Sequence, residues 1–101
     1  MKNTGLDVSD INRIKDVFFH YPEVEKVILY GSRAKGNYKP ASDIDLTLIG
    51  DGIDLTLLQS IEFELDDLLL PYKFDVSIYK KISNNKLLEH IDRIGLDFFS
   101  R

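Results

Sequence analysis

The sequence contains no cysteine, so it has neither a disulfide framework nor a thiolate metal site, and a reducing compartment suits it. It has no apolar run near bilayer-spanning length, and Met1-Lys2-Asn3-Thr4-Gly5 carries no apolar targeting core. A cytoplasmic protein with no membrane partner is therefore expected. Basic residues are in deficit: 13 Lys and Arg stand against 17 Asp and Glu, for a net charge of −4, which argues against nucleic acid as a direct partner. Internal repeats, low-complexity tracts and linkers are also missing. What is present is a chain of 101 residues, 44% hydrophobic and 30% charged, the size and balance of one domain over residues 1–101 with a single core.

Periodicity predicts the order helix, strand, short helical turn, strand, helix, strand, helix. Over residues 6–21, Val8, Ile11, Ile14, Val17, Phe18 and Tyr21 recur at helical spacing, with Asp7 as N-cap and Pro22 as stop. Val24–Tyr30 reads as a strand running into Gly31. Asp43–Leu48 alternates as a second strand. Asp54–Leu70 is the longest predicted helix, with Leu55, Leu58, Ile61, Leu65, Leu68 and Leu69 spaced for burial and Pro71 ending it. Its Glu62, Glu64, Asp66 and Asp67 point in mixed directions and are read as solvated. Lys73–Tyr79 forms a third strand. Ser83 is expected to cap a last helix reaching Ile94, with Gly95 as its stop. The segment Leu96–Arg101 either adds a short strand or offers Phe98 and Phe99 to a partner, and the sequence leaves both open. His20 is read as a helix-end residue and His90 as a boundary residue without a metal partner. The fold class is α/β (α+β): a mixed sheet with helices packed on one face and the carboxylates on the other.

The chemistry gathers in Tyr30-Gly31-Ser32-Arg33-Ala34-Lys35-Gly36 and Ser42-Asp43-Ile44-Asp45-Leu46. In an extended segment Asp43, Asp45 and Thr47 share one face while Ile44, Leu46 and Leu48 share the other. The apolar set can be buried while two carboxylates remain on an open surface, where they repel unless a cation or a proton intervenes. Gly31 lets the backbone approach a bulky anion, and Ser32 adds a hydroxyl donor. Asp75 repeats the arrangement, an acid between Phe74 and Val76 on a strand; the bland alternative is an edge-strand solubiliser. Arg33 reads either as a solvated charge or as a phosphate contact, and Ser42 as a brace of the loop. Two common motifs fail. Gly31 to Gly36 has P-loop spacing, but Asn37-Tyr38 follows where Lys-Ser/Thr is required, and Leu48 fills the obligatory glycine of a calcium loop beginning at Asp43.

Tyr30-Gly31-Ser32, ten residues from Arg33 to Ser42, and then Asp43-Ile44-Asp45-Leu46 resemble the nucleotidyltransferase superfamily of DNA polymerase beta. The fuller string looks most like the minimal nucleotidyltransferases, many of them antitoxins of HEPN–MNT pairs. This resemblance implies that Asp43, Asp45 and Asp75 are catalytic and hold two Mg2+ ions. It also implies that Gly31, Ser32, Arg33 and Ser42 bind the nucleotide. ATP as the nucleoside triphosphate rests on the resemblance alone. So does the implied activity, transfer of AMP to a tyrosine of a HEPN-type toxin. The chain has no room for an acceptor domain, so the acceptor is expected from another chain. Two other readings stay open: a non-catalytic antitoxin that works by occlusion, and a small-molecule nucleotidyltransferase completed by another subunit. Homo-oligomerisation is also left open.

Overall fold

The computed structural model describes residues 3–101. Its elements are α1 (Val8–Phe19), β1 (Lys26–Tyr30), α2 (Gly31–Lys35), β2 (Ile44–Ile49), α3 (Leu55–Asp67), β3 (Phe74–Ile78), a 3-10 turn (Tyr79–Lys81), α4 (Asn85–Ile94) and β4 (Leu96–Ser100). The four strands form one sheet in the order β3-β2-β1-β4. β1 pairs antiparallel with β2 and β4, whereas β2 and β3 are parallel. A parallel pair needs a crossover rather than a hairpin, and α3 supplies it.

Strand alternation divides the sheet into two faces. Val27, Leu29, Ile44, Leu46, Leu48, Val76 and Ile78 join Ile14, Val17, Phe18, Ile61 and Leu65 in the core, so α1 and α3 cover this face. Each large aliphatic or aromatic side chain removed from water there contributes about 1.5–3 kcal/mol. α4 crosses to the other face. It rests on β1 and α2, where a methyl on Gly95 would lie 2.5 Å from Ile28 Cγ2 and 2.4 Å from the Ile91 carbonyl oxygen. Gly95 has negative φ, so close approach, not a left-handed turn, is what excludes a side chain.

The C-terminal segment takes the first of its two predicted courses. β4 pairs along β1, and both phenylalanines are buried in the core. Strict alternation would turn one of them outward. The register shift between Val27 and Ile28, where Val27 faces Phe99 and Ile28 faces Asp97, is the irregularity that lets neighbouring residues point the same way. Arg101 closes this edge, donating to the carbonyls of Phe18, Tyr21 and Val24 and lying over the Phe19 and Phe99 rings.

Several local expectations need correction. Asn84, not Ser83, caps α4, its side chain accepting from the Lys86 and Leu87 amides. Asn84 is one residue nearer the first turn, which is the position an N-cap acceptor must occupy. Asp7 stands at the N-cap of α1 but makes no side-chain cap bond, whereas Asp54 accepts from the Leu57 amide at 2.8 Å. Val8, Leu55 and Leu69 are exposed rather than buried, because all three lie at or beyond helix ends, where the stripe no longer faces the sheet. Leu69 follows the end of α3 with φ of +56° and is 87% exposed.

A left-handed leucine costs about 1 kcal/mol that glycine avoids, less the extra freedom glycine has when unfolded. Leu69→Gly is accordingly expected to raise stability by about 0.5 kcal/mol in urea unfolding. A loss would contradict this account of the turn.

Candidate active site

The parallel register sets the site. Asp45 on β2 lies directly opposite Asp75 on β3, and on its other side Asp45 faces Tyr30 of β1. The next row on the same face is Thr47 opposite Ser77, with the Ser77 hydroxyl donating to Thr47 Oγ1 at 2.9 Å. Asp43 stands just before β2 and is exposed. β3 is an edge strand, the place for a solubilising acid, yet the register sets Asp75 beside Asp45.

Asp45 bears the cost of this crowding. Burial, then the charges of Asp75 and Asp43, push its carboxyl up to about 6 from 3.8. No Lys or Arg among the described residues forms an ion pair with any of the three. The Tyr30 hydroxyl is held above its ordinary range by burial, with the Asp75 and Asp45 charges adding to it against an opposing influence from Ser77. Gly31 is fixed by two demands. Its φ is +76°, and a Cβ would sit 2.1 Å from Asp45 Oδ2, so the Gly-Ser turn exists in contact with the middle carboxylate. Gly31 opens α2 and Ser32 follows in its first turn, half-buried.

Arg33 is neither solvated nor free to meet a phosphate. It is 1% exposed, and its guanidinium donates to the carbonyls of Thr4, Pro40 and Ser42. The rings of Tyr38 and Tyr72 lie 5.3 and 4.9 Å from it. Carbonyl dipoles and two π faces thus replace the water a buried cation loses. The effect is to tie the residue 36–42 loop and the Asn3–Gly5 segment together immediately before Asp43. Ser42 braces the same loop as expected, its hydroxyl accepting from the Lys39 amide at 2.8 Å.

His90 is the residue that sequence reasoning passed over. Its Nε2 accepts from the Gly31 amide at 3.1 Å, and its ring meets Tyr30 edge-on at 6.1 Å. A lone histidine 59 positions away from Gly31 leaves no spacing signal.

The donor set suits a hard divalent cation: carboxylate oxygens only, with mutual repulsion that a cation would relieve. Among the described residues, however, no three acidic or imidazole groups converge closely enough to hold a metal. Such an ion would take one or two protein carboxylates and complete its shell with water or phosphate, as magnesium commonly does. A cavity of about 440 Å³ lies further along the same face, lined by Ile28, Ile49, Tyr79, Ile91 and Asp92 among others.

A mixed sheet with a Gly-Ser turn set against strand-borne aspartates is the arrangement of nucleotidyltransferases. The chain belongs to the polymerase beta nucleotidyltransferase family, which matches residues 12–101. Among curated proteins none matches the chain. Solved structures share its fold. A chain from a toxin–antitoxin complex with AMP-PNP is 19% identical, with TM-score 0.73, over 90% of this chain and 73% of that one. A chain from the complex of tri-AMPylated Shewanella oneidensis HEPN toxin with MNT antitoxin is 17% identical, with TM-score 0.68, over 92% and 71%. One from an MntA–HepT toxin–antitoxin complex is 16% identical, with TM-score 0.69, over 94% and 74%. No helix among the described residues is long and apolar enough to cross a membrane.

Two predictions follow from this geometry. The Asp45 carboxyl titrates higher in the folded chain than in the unfolded one, so its ionisation costs stability as pH rises from about 4 through about 6. Because water screens part of the repulsion at this half-buried carboxylate, Asp45→Asn should stabilise the protein by only about 1 kcal/mol at pH 7.5, with the gain fading towards pH 4. Thermal melts across that range check it, and added Mg2+ should raise the wild-type midpoint more than the variant's. Arg33→Lys keeps the charge but strands carbonyls that a single ammonium cannot reach. It should cost about 2–3 kcal/mol in urea unfolding.

Proposed function

We propose that the chain is an ATP-dependent nucleotidyltransferase that transfers AMP to a hydroxyl of a separate protein, a tyrosine of a HEPN-type toxin, and thereby acts as its antitoxin. The observation that carries this reading is the placement of Asp45 against both Asp75 and Gly31, which joins the acidic pair to the Gly-Ser turn in one spot. The neighbouring folds from toxin–antitoxin complexes, one with AMP-PNP and one with an AMPylated toxin, support the choice of nucleotide and of partner.

In this reading Asp43, Asp45 and Asp75 would hold Mg2+ between them, one or two carboxylates to each ion, with water and phosphate completing the shell. The bound metal supplies charge neutralisation for the attacking oxygen and for departing pyrophosphate. Asp75, the exposed acid on the edge strand, takes the proton of the acceptor hydroxyl. Ser32 and the backbone of α2 face the terminal phosphates, and Ser42 with Arg33 contributes by holding the loop rather than by touching the nucleotide. The chain's own share of catalysis is positioning and electrostatics. A second reading, inhibition by occlusion, draws support from the lack of a converged three-ligand group among the described residues.

Labelled ATP, Mg2+ and a cognate HEPN-type protein separate the two. Label should pass to the partner, and Asp43→Asn should lower the rate by at least about 100-fold. Toxin inhibition that persists undiminished in Asp43→Asn, with no label transferred by the wild type, would establish occlusion instead.

A further inference from the structure

His90 joins α4 to the turn that opens α2, and neither the family match nor the motif assigns it a role. α4 is held on the open face of the sheet at three points. Gly95 abuts Ile28 with no room for a methyl group. Asp92 accepts from the Tyr79 hydroxyl at 2.8 Å. His90 Nε2 accepts from the Gly31 amide at 3.1 Å. The first two contacts fix the helix, so the reach and direction of the third are set by the fold. A ring nitrogen that accepts carries no proton, which places the proton on Nδ1 and makes His90 a neutral acceptor in this contact.

That single bond determines how one peptide plane lies. Gly31 sits at φ +76°, a region glycine leaves easily, and a Cβ there would collide with Asp45 Oδ2. Turning the Tyr30–Gly31 peptide would swing the start of α2 relative to the carboxylate. We infer that His90 is a positioning residue: by holding the Gly31 amide it sets the Gly31–Ser32 backbone at the distance from Asp45 that the nucleotide's phosphates require. This inference rests on the nucleotidyltransferase reading above. His90 touches no substrate in it and acts only through Gly31.

The test uses three forms of the full chain and a non-hydrolysable ATP analogue with Mg2+, with affinity measured by calorimetry and Gly31 amide exchange by NMR. His90→Phe keeps a ring against Tyr30 but has no acceptor, and His90→Gln restores an acceptor without the ring. His90→Phe should bind the analogue about three- to tenfold more weakly, the size of one lost hydrogen bond, and exchange the Gly31 amide faster by a similar factor. His90→Gln should stay within about twofold of the wild type in both. A merely structural role would lower the melting temperature of both variants without separating their affinities. Should His90→Phe fail to fold, His90→Met, close to Gln in length but a poor acceptor, gives the same contrast. Binding by His90→Phe equal to or tighter than wild type overturns the inference, as does Gln binding as poorly as Phe. Wild-type protein that binds no analogue sinks the nucleotide reading and this inference with it, whereas wild-type binding with an unchanged Phe variant sinks the inference alone.

Discussion

Two carboxylates set side by side on adjacent strands, with no Lys or Arg among the described residues paired to them, are the constraint around which this molecule is arranged. The opposition of Asp45 and Asp75 follows from the parallel register of β2 and β3. That register requires α3 as a crossover, and α3 in turn covers the apolar faces of the same strands. The burial that stabilises the sheet and the exposure that leaves its acids open are therefore two sides of one alternation. The repulsion is a local cost, small beside the burial of the core beneath it, which is how the fold tolerates it.

The basic residues close in sequence to the acids do not relieve them. Arg33 spends its donors on carbonyls of the loop and of the Asn3–Gly5 segment, and its charge is absorbed by dipoles and aromatic rings. The approach to Asp43 is stiffened, while the charges of the acids are left unneutralised by Arg33. On the far side, α4 lies against β1 and α2 rather than with α1 and α3. The site is thus walled by one helix and one short helical turn instead of lying on a bare sheet.

Much of the arrangement was legible in the chain. Alternation around Asp43, Asp45 and Asp75 placed apolar and acidic residues on opposite faces, and proline and glycine marked the element ends to within a few residues. The family match bears out the superfamily resemblance read from the Gly-Ser turn and the paired aspartates. What escaped depended on contacts distant in sequence. Nothing near Arg33 announces that Thr4, Tyr38 and Tyr72 will surround it. His90 meets Gly31 only once α4 is docked. The helix-end leucines met the spacing rule and missed the sheet, because periodicity gives direction but not where a neighbouring layer stops. The bulge opposite Val27 likewise has no local signature, so the fate of Phe98 and Phe99 could be narrowed only to two outcomes.

The pairing of β1 with β4 carries a consequence for how the molecule comes into being. β1 is a central strand whose second edge is satisfied only by residues 96–100, separated from it by most of the chain. Closing so long a loop is entropically dear and slow. During synthesis β1 therefore stands with one edge open until residues 96–100 are available to pair with it. The sheet is completed only once residues 96–100 dock on β1, and the interval before it is when the growing chain is most exposed to misassociation.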